Sequence, residues 1–69
     1  MKFLKKREAA QRLGIHPESL MRLVRQGRFK PPITIVEGGR DKGWPDYEIE
    51  AYQKARIAAR DEEPEVATT

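Results

Sequence analysis

The stretch His16-Pro17-Glu18-Ser19, followed by Arg22, Arg25 and Arg28, holds the residues whose types and spacing carry chemistry. A guanidinium is a planar fork that pairs with guanine O6 and N7 or with two phosphate oxygens. If residues 17–26 form a helix, its exposed face is His16, Pro17, Glu18, Ser19, Met21, Arg22 and Arg25. Arg22 is then the residue expected to meet a base edge in a major groove, with a phosphate contact as its alternative. Glu18 or Ser19 would accept from or donate to a base edge, and Glu18 serves equally as a helix-start carboxylate. Arg25 and Arg28 lie further along and suit phosphates. His16 either bonds a phosphate or caps the helix. Lys5, Lys6 and Arg7 precede this region, and Arg40 and Lys42 follow it in a glycine-rich turn. All five are expected to grip the phosphate backbone, and a basic turn gains further from the negative potential of a minor groove.

Other chemistries find no support. The chain has no cysteine, which excludes a disulfide framework and any thiolate zinc site, and its one histidine has no second ligand of its kind. Ser19 near His16 lacks a group to orient a base. Gly38-Gly39 comes without a GK[ST] signature, so plain turn chemistry explains it better than a phosphate-cradling loop. No catalytic activity and no cofactor are expected. No run approaches the ~20 apolar residues of a membrane span, and Met1-Lys2-Phe3-Leu4 runs straight into Lys5-Lys6-Arg7-Glu8, unlike a secretory signal. A cytoplasmic location is expected.

The 69 residues carry 14 Lys and Arg against 11 Asp and Glu, a net charge of +3. That figure conceals an asymmetry. Residues 1–60 hold all 14 bases and seven acids, a net +7, while residues 61–69 hold four carboxylates and no base. The first segment is read as one small domain that attracts a polyanion, double-stranded DNA being the obvious partner. The second is read as an acidic, disordered tail.

Positioning these charges requires particular elements. Residues 5–13 read as a helix with Ala9, Ala10 and Leu13 near one face, and Gly14 interrupts it where a left-handed turn fits. Pro17 opens a second helix with His16 as N-cap, Leu20, Leu23 and Val24 form its buried stripe, and Gly27 closes it. Arg28 to Pro32 is irregular and extended. Ile33-Thr34-Ile35-Val36 is β-prone, residues 37–43 turn, and Trp44 begins the return, giving a small hairpin. A last helix is expected from about Pro45-Asp46 to about Arg60, with Ile49, Tyr52 and Arg56 on one side.

The spacing is specific. Ala10, Gly14, Ile15, Leu20 and Leu23 fall at positions 5, 9, 10, 15 and 18 of a 20-residue helix-turn-helix window spanning Lys6 to Arg25. Position 5 must be small where the helices cross, position 9 makes the turn, and the others fill the wedge between them. The fold is therefore expected to be mainly α with a small β-hairpin, a winged helix-turn-helix. Phe29, Trp44, Ile49 and Tyr52 are read as core. With neither a heptad nor a long apolar seam, a monomer is expected in solution.

Leu4-Lys5-Lys6-Arg7-Glu8-Ala9-Ala10, Leu13-Gly14-Ile15, Gly27-Arg28-Phe29 with Pro31-Pro32, Gly38-Gly39-Arg40, Trp44 and Glu48-Ile49-Glu50-Ala51-Tyr52 resemble the AlpA-type prophage regulators. These belong to the small MerR-like winged helix-turn-helix proteins that include phage excisionases. The resemblance implies a DNA-binding protein of a prophage or mobile element. Its role would be to bend DNA at an attachment site as a recombination directionality factor, to regulate transcription, or both. It also implies an integrase and adjacent copies of the chain on DNA as partners. By position, Arg22 matches the recognition-helix arginine and Arg40 the wing arginine. His16-Pro17 stands where Ser-Arg is frequent, and Met21 where an aromatic is common. The alternative function is a protein-interaction module or antitoxin-like inhibitor, suggested by the acidic tail and by Met21 on a polar face.

Overall fold

A computed structural model describes residues 1–62. The elements run β1 (Phe3–Leu4), α1 (Lys6–Leu13), α2 (Pro17–Arg25), β2 (Ile33–Thr34), β3 (Lys42–Pro45) and α3 (Asp46–Glu62). The result is mainly helical, with a small antiparallel sheet in the order β1-β3-β2.

Gly14 ends α1 at φ 76°, a conformation that costs side-chain-bearing residues roughly 1–2 kcal/mol. Its N–H donates to the Gln11 carbonyl (3.1 Å) and the Ile15 N–H to the Ala10 carbonyl (3.0 Å), which satisfies two of the carbonyls a helix end leaves open. The same pair of bonds closes α2 around Gly27. Ala9, Ala10 and Leu20 are fully buried where α1 meets α2, and Leu13, Ile15 and Leu23 pack against them half-buried. The small residue demanded at the crossing and the wedge around it are both in place.

The aromatic core forms as the spacing requires. Phe29 leaves the end of α2 and meets Trp44 edge-on (5.9 Å between centroids) and Tyr52 edge-on (4.9 Å). Trp44 Nε1 donates to the Lys30 carbonyl at 2.7 Å, so the one polar atom of that ring is satisfied. Ile49 on α3 completes the buried cluster. Beyond Tyr52 the side of α3 expected to face inward opens out: Arg56 is exposed, and the Gln53 side-chain amide holds the helix to α1 by donating to the Arg12 carbonyl (2.9 Å).

Three features depart from the sequence reading. The β-prone run shortens to Ile33–Thr34, because Val36 is taken as the first residue of a turn: the Gly39 N–H donates to its carbonyl (2.8 Å), with Gly38 at φ 78°. The last helix runs two residues past Arg60, through Asp61 and Glu62, so the segment read as a tail begins within it. Residues 63–69 of that segment lie outside the described residues.

The third departure is β1, a strand not expected at all. Phe3 pairs with Pro45 and Leu4 with Trp44, and the Asp46 N–H extends the contact to the Lys2 carbonyl (2.8 Å). This pairing explains Gly43. A Cβ there would sit 2.6 Å from the Leu4 carbonyl oxygen and 3.1 Å from Ile35 Cδ1. Gly43→Ala is therefore expected to cost about 1–3 kcal/mol through overpacking. Urea denaturation followed by far-UV circular dichroism reads this directly, and an unchanged midpoint would show that β1 and β3 do not approach so closely.

Candidate nucleic-acid interface

The two faces of α2 are chemically opposite. Leu20 is fully buried, and Met21, Leu23 and Val24 pack half-buried against the core. His16, Glu18, Arg22 and Arg25 are exposed. Glu18, Arg22 and Arg25 are spaced i, i+4 and i+7, so they form one stripe along the helix. Pro17, Ser19 and Met21, expected to be open on this face, are half-buried instead. Met21 stands three residues before Val24 on the same flank of the helix, and its flexible chain packs half-buried against the core. The exposed methionine that motivated a protein-docking reading is absent.

His16 caps α2. Its backbone is extended (φ −71°, ψ 145°), and its Nδ1 accepts from the Glu18 N–H at 3.1 Å. An imidazole is an unusual cap, but it satisfies an otherwise open N–H as Ser or Asp would. The bond also assigns the ring's hydrogen: Nδ1 accepts, so the N–H of the neutral ring is on Nε2 and available to an outside acceptor. Capping and phosphate contact are thus compatible uses of one side chain.

The basic residues divide into two groups. Lys5, the extended residue before α1, reaches Asp41 of the hairpin at 3.5 Å, with the two side chains 64% and 69% exposed. This contact brings the start of α1 beside the turn that holds Arg40 and Lys42. A pair so exposed contributes little to stability. Lys5, expected on phosphate, has Asp41 as its partner here. Lys6, Arg7, Arg22, Arg25, Arg28, Arg40 and Lys42 have no ion-pair partner among the described residues. Arg22 and Arg25 form the second group on α2. Arg28, just past the end of α2, also lines a cleft with Phe29, Lys30 and Tyr52.

The Lys5–Asp41 contact escaped the sequence reading because the two residues lie 36 positions apart and no spacing rule connects them. The cleft beside Arg28 was missed as well; Tyr47, an aromatic residue off the side of the last helix that carries Ile49 and Tyr52, was the signal available.

Nothing in the described residues forms a catalytic constellation. Among the described residues, no group of three or more His, Cys, Asp or Glu side chains could hold a metal ion, and no polar or charged residue is buried. No described helix is long and apolar enough to cross a membrane. What the arrangement offers is exposed guanidinium and ammonium groups on a rigid helix and a short hairpin, suited to binding an extended polyanion.

Among known proteins, the chain is similar to the uncharacterized protein ORF88 of Enterobacteria phage P4, with 30% identity over 59 residues. The match covers 86% of this chain and 65% of the phage protein's length. No protein-family model matches the chain. No solved structure matches it.

Proposed function

We propose that this chain is a sequence-specific double-stranded DNA-binding protein of a prophage or mobile element, working as a winged helix-turn-helix. In this reading α2 is the recognition helix, the β2–β3 hairpin is the wing, and residues 1–60 form the binding domain ahead of an acidic segment. The observation that carries it is the exposed stripe Glu18, Arg22, Arg25, whose arginines have no ion-pair partner among the described residues, on a helix that follows the Gly14 turn. Similarity to a phage protein supports the mobile-element setting. The chain acts as a recombination directionality factor that bends DNA at an attachment site, as a transcriptional regulator, or as both. An integrase and neighbouring copies on DNA are its partners, and the cytoplasm its location. Arg22 contacts a base edge. Lys6, Arg7, Arg25, Arg28, Arg40 and Lys42 contact phosphates, with His16 donating from Nε2 and Lys5 exchanging Asp41 for phosphate. Glu18, Ser19 and Pro17 shape the contact at the helix start.

Mobility shift on duplexes from the attachment region and the integrase promoter of the encoding element tests this. If about five to seven phosphates are neutralised, log K falls against log salt concentration with a slope of roughly −4 to −6. A slope near zero, or equal affinity for every duplex, would reject the reading. Laddered complexes on attachment-site repeats favour the recombination role, and binding confined to the promoter favours the regulatory one.

A further inference from the structure

A cleft of about 280 Å³ opens between residues 28–30 and the first two turns of α3. Phe29, Tyr47, Ala51 and Tyr52 give it an apolar floor and wall, and Arg28 and Lys30 stand at its edge. Tyr47 is 57% exposed there, and Glu48 reaches Lys30 only at 4.0 Å, the outer limit of an ion pair. The cleft therefore presents an apolar hollow under two cations, which selects for an acidic segment with a small apolar anchor.

The chain carries such a segment. Glu63-Pro64-Glu65-Val66 supplies two carboxylates for the two cations and one branched apolar side chain for the hollow. We infer that this cleft receives residues 63–66 of a second copy of the chain.

Geometry excludes the same copy. From Ala51 to Glu62 α3 rises eleven residues away from the cleft, about 16 Å at 1.5 Å per residue. Val66 lies four residues past Glu62, a span of at most about 14 Å before any reversal. Docking in trans also answers the charge problem, since domains of net +7 repel each other and the acidic segment offsets that repulsion. Each copy offers this cleft and this segment, so the contact can be repeated from copy to copy. It is weak, leaving the chain monomeric in dilute solution. It takes effect where copies stand side by side and the local concentration reaches the order of millimolar.

Sedimentation velocity of the full chain without DNA, from micromolar to about 1 mM and at low and high salt, tests the inference. Because no DNA is present, the result does not depend on the proposed function. The wild type is expected to grow in mass with concentration at low salt. Lys30→Glu, at an exposed position outside the DNA-contacting set, should weaken this about tenfold or more, and so should Glu63→Lys/Glu65→Lys. Mixing the two variants should restore association, because the reversed cleft accepts the reversed segment while the unaltered cleft of the other variant accepts the unaltered segment. A wild type that stays monomeric to about 1 mM overturns the inference. So does undiminished association of either variant, which would place the contact elsewhere, and so does a mixture that fails to restore it.

Discussion

Trp44→Ala is expected to cost about 3–5 kcal/mol and to leave the chain largely unfolded at room temperature. Trp44 is 1% exposed, is the largest fully buried side chain, and lies in the middle strand opposite Leu4. Removing the indole takes from Phe29 one of its two edge-on neighbours and leaves the Lys30 carbonyl without its donor. It also opens a cavity between the sheet and α3 that a domain this small has few side chains to refill. A chain of this size has a total stability of roughly 3–9 kcal/mol, so the loss approaches the whole. Far-UV circular dichroism during urea denaturation is the appropriate measure, since the variant has no tryptophan to fluoresce. A loss below about 1 kcal/mol would mean that the core does not turn on this ring. Trp44→Phe keeps the apolar bulk without the N–H and should fall between the two.

Arg22→Ala should do the opposite, leaving the fold intact and damaging recognition. The side chain is exposed and has no ion-pair partner among the described residues, so thermal stability should change by less than about 0.5 kcal/mol. Affinity for the cognate duplex should fall by about 1–3 kcal/mol, roughly five- to 150-fold, and discrimination at a single base pair should relax. Competition binding with duplexes mutated one position at a time resolves this. An equal loss on every duplex would reassign Arg22 to phosphate and leave Glu18 or Ser19 as the group that reads sequence.

The helical pair was legible in the sequence because its requirements are local. Ala10, Gly14, Leu20 and Leu23 sit at intervals set by helix geometry and by one left-handed turn, and His16-Pro17 marks a helix start. Phe29, Trp44 and Tyr52 were legible as core because aromatic side chains have few other uses in a chain so small. What was not legible is tertiary. A two-residue strand such as β1 is too short for alternation to reveal it. Gly43 has no positive φ, and its need for a bare Cα comes from a carbonyl 39 positions earlier in the chain. The half-burial of Ser19 and Met21 depends on how closely α1 approaches α2, which periodicity does not specify. For the interface, the residue types on α2 were readable, whereas the Lys5–Asp41 contact and the cleft that Arg28 lines emerged only from packing.

The pairing of Phe3 with Pro45 encloses both of the first two helices in one loop of the chain. During synthesis Phe3 and Leu4 have nothing to pair with until β3 follows about 40 residues later. Until then only the α1–α2 pair can assemble, with its arginines already exposed but no hairpin beside them. Phe3 and Leu4 thus take their place only after both helices of the α1–α2 pair have been made, and a nascent chain halted before Trp44 displays that pair without the sheet.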